Sequence, residues 1–183
     1  MTNEFEVNTG LPIWLDGINY RSKKFKIVHP GTDCEIDDDD YGNSKREAAD
    51  YLLKDGKDTT IIKTSIIGPE LNSNSSLLGW FLSSEKEVSG YSEAYWNGST
   101  TLQWAKICYK LLNDWNSFEK LNIPVTECIS KYELLEIIKD VFEKDVIINK
   151  NSDIEVNKCL VGNIEVPTIK EQLIELKEFN NDY

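Results

Sequence analysis

Thr32-Asp33-Cys34-Glu35-Ile36-Asp37-Asp38-Asp39-Asp40-Tyr41-Gly42-Asn43-Ser44-Lys45 is the stretch on which the fold assignment turns. Tyr41 and Lys45 are four apart, so a helix beginning at the aspartate run puts a phenol and an ammonium on one face, a turn apart. A cation close to a tyrosine hydroxyl favours the phenolate and draws its pKa down from about 10. Such a tyrosine can protonate a carbonyl oxygen as hydride reaches the carbon. Thr32 follows an apolar, strand-like run and is placed to hold the same oxygen. Tyr and Lys at this spacing also occur on surface helices with no chemical role. The order of segments adds weight: strand, Thr, short polar loop, Tyr-x-x-x-Lys at a helix start, then a second strand.

Working outward, the preceding strand is read as Phe25–His29, stopped by Pro30-Gly31. Before it, Asn8 or Thr9 is placed to cap a helix with Pro12 in its first turn, after a frayed start over residues 1–6. Downstream, the last aspartates cap a helix from Tyr41 to Leu53, which Gly56 ends. Thr59 to Ile67 is β-branched nearly throughout and reads as one strand covered on both faces, as in a parallel sheet. A polar loop, Asn72–Ser76, leads to a short helix at Leu77–Leu82.

The stretch from Tyr91 and Tyr95 through Trp96-Asn97-Gly98 to Thr101 is either core plus turn or a sugar-binding surface of rings and small polar groups. Thr100 or Thr101 caps a helix over Leu102–Leu112. Leu121–Thr126 is a short or edge strand because of Pro124. Ser130 and Glu133 form a capping box for Tyr132–Phe142. Asp145–Asn149 is strand-like, residues 150–165 are irregular, and Pro167-Thr168 starts a last helix, Ile169 to Phe179. Alternating strands and helices predict an α/β fold.

Composition narrows the function. With 183 residues the chain can bury a real core, and a net charge of −12 argues against a nucleic-acid or anionic-membrane binder. No apolar run approaches the roughly 18 residues of a membrane span, and the acidic N-terminus has no signal-peptide pattern, so the expectation is cytoplasmic. Cys34, Cys108, Cys128, Cys159 and the single His29 give no metal-ligand spacing, and no metal is expected. Cys34 is either a reactive thiol beside the site or a reduced structural one, and His29 a strand-end imidazole.

The ordered set Thr32-Asp33-Cys34, Tyr41-Gly42-Asn43-Ser44-Lys45, Lys63-Thr64-Ser65-Ile66-Ile67-Gly68, Trp80-Phe81-Leu82, Gly90-Tyr91 through Trp96-Asn97-Gly98 to Thr100-Thr101, and Ile129-Ser130-Lys131-Tyr132 resembles the extended short-chain dehydrogenases/reductases that act on nucleotide sugars, the dTDP-4-dehydrorhamnose reductase-like group. The resemblance implies the C-terminal part of a Rossmann-like parallel sheet (residues 1–75) and a small α+β substrate-binding region (residues 76–183) interleaved with the last sheet strands. It implies NADP or NAD as cofactor and a nucleotide sugar as ligand. It makes Tyr41 the proton donor, Lys45 the group that lowers its pKa and holds the nicotinamide ribose, and Thr32 the group that orients the keto oxygen. Asn8 matches an asparagine of the preceding helix and is assigned to the cofactor, while Trp96, Asn97, Thr100 and Lys63 are assigned to the substrate.

Two departures stand out. No glycine-rich dinucleotide fingerprint occurs anywhere in the sequence, so the first mononucleotide-binding half is missing and activity is expected to be impaired. Only nine positions separate Thr32 from Tyr41, fewer than in the family. The strand before Thr32 is expected to have an open edge, covered by a second copy or a partner chain.

Overall fold

The computed structural model describes residues 3–22, 25–56, 58–70 and 75–179. Its chain begins as an unbroken helical run: α1 (Asn3–Phe5), a π-helical turn (Glu6–Gly10) and α2 (Leu11–Ser22). The expected cap at Asn8 or Thr9 is absent because the helix runs through both. The π turn, in which the Leu11 N–H reaches back to the Glu6 carbonyl, opens the helix just where Pro12 would otherwise crowd it.

Strand β1 (Ile27–Gly31) pairs in parallel with β2 (Thr59–Lys63), which pairs in parallel with the short β6 (Leu121–Asn122). β1 starts two residues later than expected and includes Pro30-Gly31. Among the described residues its other edge is unpaired, and an edge position tolerates a residue with no N–H. β2 is buried through Thr59–Ile62, as its continuous apolar pattern requires of a strand covered on both faces. The predicted long strand is in fact two. It breaks at Thr64-Ser65, and β3 (Ile66–Ile67) leaves the first sheet to pair with β5 (Ser99–Thr100), the Ser65 carbonyl accepting from the Ser99 N–H.

Helix α3 (Asp40–Lys54) packs on the first sheet through Ala49 and Leu52, which meet Ile61. Asp39 caps it by accepting from the Gly42 N–H, so the end of the acidic run does what its position suggested. On the opposite side α5 (Thr101–Asn113) meets Ile62 through Ile107 and Leu111 and is capped by Thr100.

The third sheet was largely invisible to pattern reading. β4 (Glu87–Trp96) runs parallel to β8 (Ile147–Asn157), with a register shift between Tyr91 and Glu93, and antiparallel to β7 (Ile129–Ser130). Helices α4 (Leu77–Ser83), α6 (Lys131–Phe142) and α7 (Ile169–Phe179) accompany it, with the predicted Ser130–Glu133 capping box formed on α6. Phe81, Leu134, Leu135, Ile138, Ile169 and Leu173 are the centre of the largest core. Cys128 and Cys159 form a disulfide, which spacing alone had not suggested, and Cys34 and Cys108 are free. No described helix is long and apolar enough to cross a membrane. The expected loop at Asn72–Ser76 lies mostly outside the described residues, as do residues 1 and 2 of the expected frayed start.

Candidate active site

A cavity of about 390 Å³ opens where β1 and β2 end, lined by Pro30, Gly31, Thr32, Asp33, Cys34, Tyr41, Lys45, Thr64, Ser65, Ile66 and Trp104. Its size falls within the range of small-molecule sites, roughly 300–1,000 Å³. The ends of parallel strands are where open α/β sheets bind ligands. Thr32, Tyr41 and Lys45, the three residues singled out as chemical, therefore share one cavity.

The loop that carries Thr32 is tightly specified. Thr32 caps a 3₁₀ turn (Asp33–Ile36): its hydroxyl accepts from the Cys34 N–H and donates to Asp33 Oδ1 at 3.1 Å, while its N–H donates to Glu35 Oε1 at 3.0 Å. Glu35, almost fully buried, is neutralised by Lys63 at 2.7 Å. Arg46 of α3 donates to the carbonyls of Glu35 and Asp37 and to Asn43 Oδ1. Gly42 lets α3 lie against this loop, since a Cβ there would run into the carbonyl oxygens of Cys34 and Asp37. The nine-residue step is thus a compact, hydrogen-bonded path that keeps Thr32 beside Tyr41.

The electrostatics differ from the expected tuning. Lys45 is 9% exposed and its Nζ donates to the Pro30 carbonyl at 2.8 Å. Burial pushes its pKa down, with Glu35 acting in the opposite sense. Tyr41 has its pKa raised, first by burial and then by Cys34, with the Thr32 hydroxyl opposing and Asp33 and Glu35 adding to the rise. Lys45 is not among its causes. The lysine is held by the edge strand, and the phenol faces the acidic loop, so the expected lowering of the Tyr41 pKa is corrected to a rise. Cys34 likewise has its thiol pushed up by burial and by Asp33, which favours the resting thiol over the reactive reading.

The remaining assigned residues do not line the cavity. Asn8 donates from Nδ2 to Ser44 Oγ at 3.1 Å, and Thr9 donates to the Ser44 carbonyl at 2.7 Å; both fasten the first helix to α3. Trp96 is in the largest core at 2% exposure. Asn97 is buried with both ends of its amide on the Leu160 backbone, donating to O and accepting from N at 2.9 Å each. Thr100 caps α5, and its N–H donates to Gln172 Oε1 at 2.9 Å. Lys63 is committed to Glu35. The reading of the 91–101 stretch as core plus turn is the one its burial matches.

Sequence reasoning passed over Trp104 and Ile66 as cavity walls, since the first fell inside the helix read over Leu102–Leu112 and the second inside the strand read from Thr59 to Ile67. It also passed over Lys158, which reaches from the end of β8 to Asp37 at 2.6 Å and to Cys34 Sγ at 3.7 Å, because its surroundings had read as irregular. No cluster of described residues has the make-up of a metal site.

Fold and cavity together are those of an α/β chain with a cavity of small-molecule size at the ends of two parallel strands. Among solved structures it is similar to a dTDP-4-dehydrorhamnose reductase from Bacillus anthracis in complex with NADP, with TM-score 0.81 and 14% identity over 96% of this chain and 73% of that one. It is also similar to a dTDP-4-dehydrorhamnose reductase ortholog from Clostridium acetobutylicum (TM-score 0.73, 17% identity, 97% and 73%). A third is a UDP-glucose 4-epimerase from Thermotoga maritima with UDP-glucose (TM-score 0.70, 13% identity, 97% and 70%). No protein-family model matches the chain, and no curated protein matches it in sequence.

Proposed function

We propose that this chain carries the catalytic and substrate-binding part of an NAD(P)-dependent reductase of a nucleotide-linked 4-keto-deoxysugar, with catalysis impaired when it acts alone. The observation that carries the reading is the meeting of Thr32, Tyr41 and Lys45 in one cavity at the ends of parallel strands. The residues present fit one end of the cofactor only. In this reading Tyr41 and Lys45, which line one cavity, would hold the nicotinamide ribose, whereas the sequence has no glycine-rich turn to cradle a pyrophosphate.

When bound, the cofactor supplies hydride to the carbonyl carbon. Tyr41 gives its hydroxyl proton to the carbonyl oxygen as charge develops there, and its raised pKa keeps that proton in place beforehand. Thr32, released from Asp33 Oδ1, donates to the same oxygen. Lys45, which donates to the Pro30 carbonyl, has to turn from it to bring positive charge to the phenol. Trp96, Asn97 and Thr100 act at a distance, by fixing the β4–α5 corner. The edge of β1 left unpaired among the described residues is the place where a second copy or a partner chain pairs.

A second reading, a non-catalytic binding or interaction remnant, is favoured by the bond from Lys45 to Pro30, which leaves Tyr41 without its cation. Hydride transfer separates the two. NADPH-dependent reduction of a dTDP-linked 4-keto-deoxysugar that falls about 10²-fold or more in Tyr41→Phe supports the reductase. No turnover by folded protein, or turnover indifferent to that substitution, supports the remnant.

A further inference from the structure

The Cys128–Cys159 disulfide joins two irregular segments, one leading into β7 and one leaving β8. Little packing holds them together. A cavity of about 560 Å³ is lined by Val125, Thr126 and Glu127 of the first segment and by the 162–168 stretch that continues the second. Near the disulfide both segments hang on Asn97 by hydrogen bonds, the Thr126 N–H donating to its carbonyl and the Leu160 backbone engaging its amide. Cys128 is exposed and Cys159 half-buried, so a thiol in solution can reach the bond. Exposed disulfides are the labile ones.

The residue before Cys159 reaches the candidate site. Lys158 Nζ pairs with Asp37 at 2.6 Å and donates to Cys34 Sγ at 3.7 Å. Asp33 and Cys34, of the loop that Asp37 ends, line the 390 Å³ cavity. Both ends of the Lys158–Asp37 pair are about a quarter exposed. An ion pair in contact with water holds only when its ends are already positioned, because ordering a long side chain costs about as much as the pair gains. The Lys158 backbone has two restraints close by, its own N–H on the Tyr95 carbonyl and the disulfide at the next residue.

We propose that the Cys128–Cys159 disulfide is a thiol-operated switch: its reduction loosens the Lys158 grip on the Cys34–Asp37 loop and with it one wall of the cavity. The reductant is a dithiol. Its thiolate attacks Sγ of the exposed Cys128, the S–S bond breaks, and Cys159 leaves as a thiolate. The second thiolate of the reductant then attacks the reductant's sulfur in the mixed disulfide, releasing Cys128 and closing a disulfide within the reductant. Two electrons pass to the protein, and the protons of the two reductant thiols end on Cys128 and Cys159. The switch requires no particular ligand in the cavity, so it stands or falls apart from the function proposed above.

Hydrogen exchange of the full chain, before and after millimolar dithiothreitol, tests it. Titratable thiols should rise from two, Cys34 and Cys108, to all four cysteines. Exchange should speed up about threefold or more at residues 158–163 and at residues 34–37, with β2 unchanged, and reoxidation should restore both. In the oxidised protein Lys158→Met should speed up residues 34–37 alone, and reduction of that variant should add nothing there. A disulfide with a merely structural role would lower the melting temperature and loosen residues 158–163 without moving residues 34–37; that outcome overturns the switch. So does a bond that resists dithiothreitol in the folded protein, or exchange that accelerates in β2 as well. A response of residues 34–37 to reduction that survives in full in Lys158→Met overturns the route through Lys158.

Discussion

The first sheet and the third treat the same kinds of residue in opposite ways. At the end of the first, Thr32, Tyr41 and Lys45 border a cavity, and Tyr41 is 41% exposed. Beside the third, Trp96, Asn97 and Thr100 are all at or below 5% exposure, and the polar atoms of Asn97 and Thr100 are engaged with Leu160, Gln103 and Gln172. An aromatic next to small polar groups reads alike in sequence whether the rings stack on a ligand or fill a core. Burial and hydrogen-bond saturation separate the two cases: a satisfied, buried Asn has nothing left to offer a sugar, and a half-exposed tyrosine does.

This contrast can be broken by substitution. The largest effect is expected for Trp96→Ala, which empties a core site and should cost about 3–5 kcal/mol in urea unfolding. Next comes a pH effect at the first sheet. His29 is buried beside Lys45, its Nε2 has no hydrogen-bond partner among the described residues, and desolvation followed by the Lys45 charge lowers its pKa to about 4. The unfolded chain takes up a proton near pH 6.5 and the folded one only near 4. Stability should therefore be full above about 6.5 and fall by up to about 3 kcal/mol as pH drops through that window. His29→Leu should flatten the dependence in a pH series of melts; an unchanged slope would mean that His29 is not its source.

Asn97→Ala removes both bonds to the Leu160 backbone and should cost about 1–3 kcal/mol, with the cost spread to the 158–160 segment in hydrogen exchange. Tyr41→Phe should be smallest on this scale, within about 0.5 kcal/mol of the parent, because it deletes a hydroxyl on a half-exposed ring. A Tyr41→Phe loss as large as that of Asn97→Ala would place Tyr41 among the structural residues and dissolve the comparison.

What could be read from the chain tracks where local chemistry decides structure. Helices α3, α5, α6 and α7 announce themselves through Asp39, Thr100, the Ser130–Glu133 box and regular apolar spacing, and their bounds fall within a residue or two of expectation. β4 and β8 do not. The inward positions of β4 include Gly90 and Ala94, which erase the apolar alternation, and β8 is largely exposed and rich in Asn and Asp, which disfavour strands in isolation. They exist because they pair with each other across about sixty residues of sequence. The membership of the cavity was legible for Thr32, Tyr41 and Lys45, since spacing and order fix it. Its electrostatics were not, because the Lys45 ammonium answers to the Pro30 carbonyl, which spacing along a helix cannot show.

Fluorescence titration of the folded chain with NADPH addresses the central claim most directly. Weak, saturable binding in the millimolar range, lost in Lys45→Met, is the result that the proposed function predicts. A flat titration at millimolar NADPH, or one that Lys45→Met leaves unchanged, would contradict it.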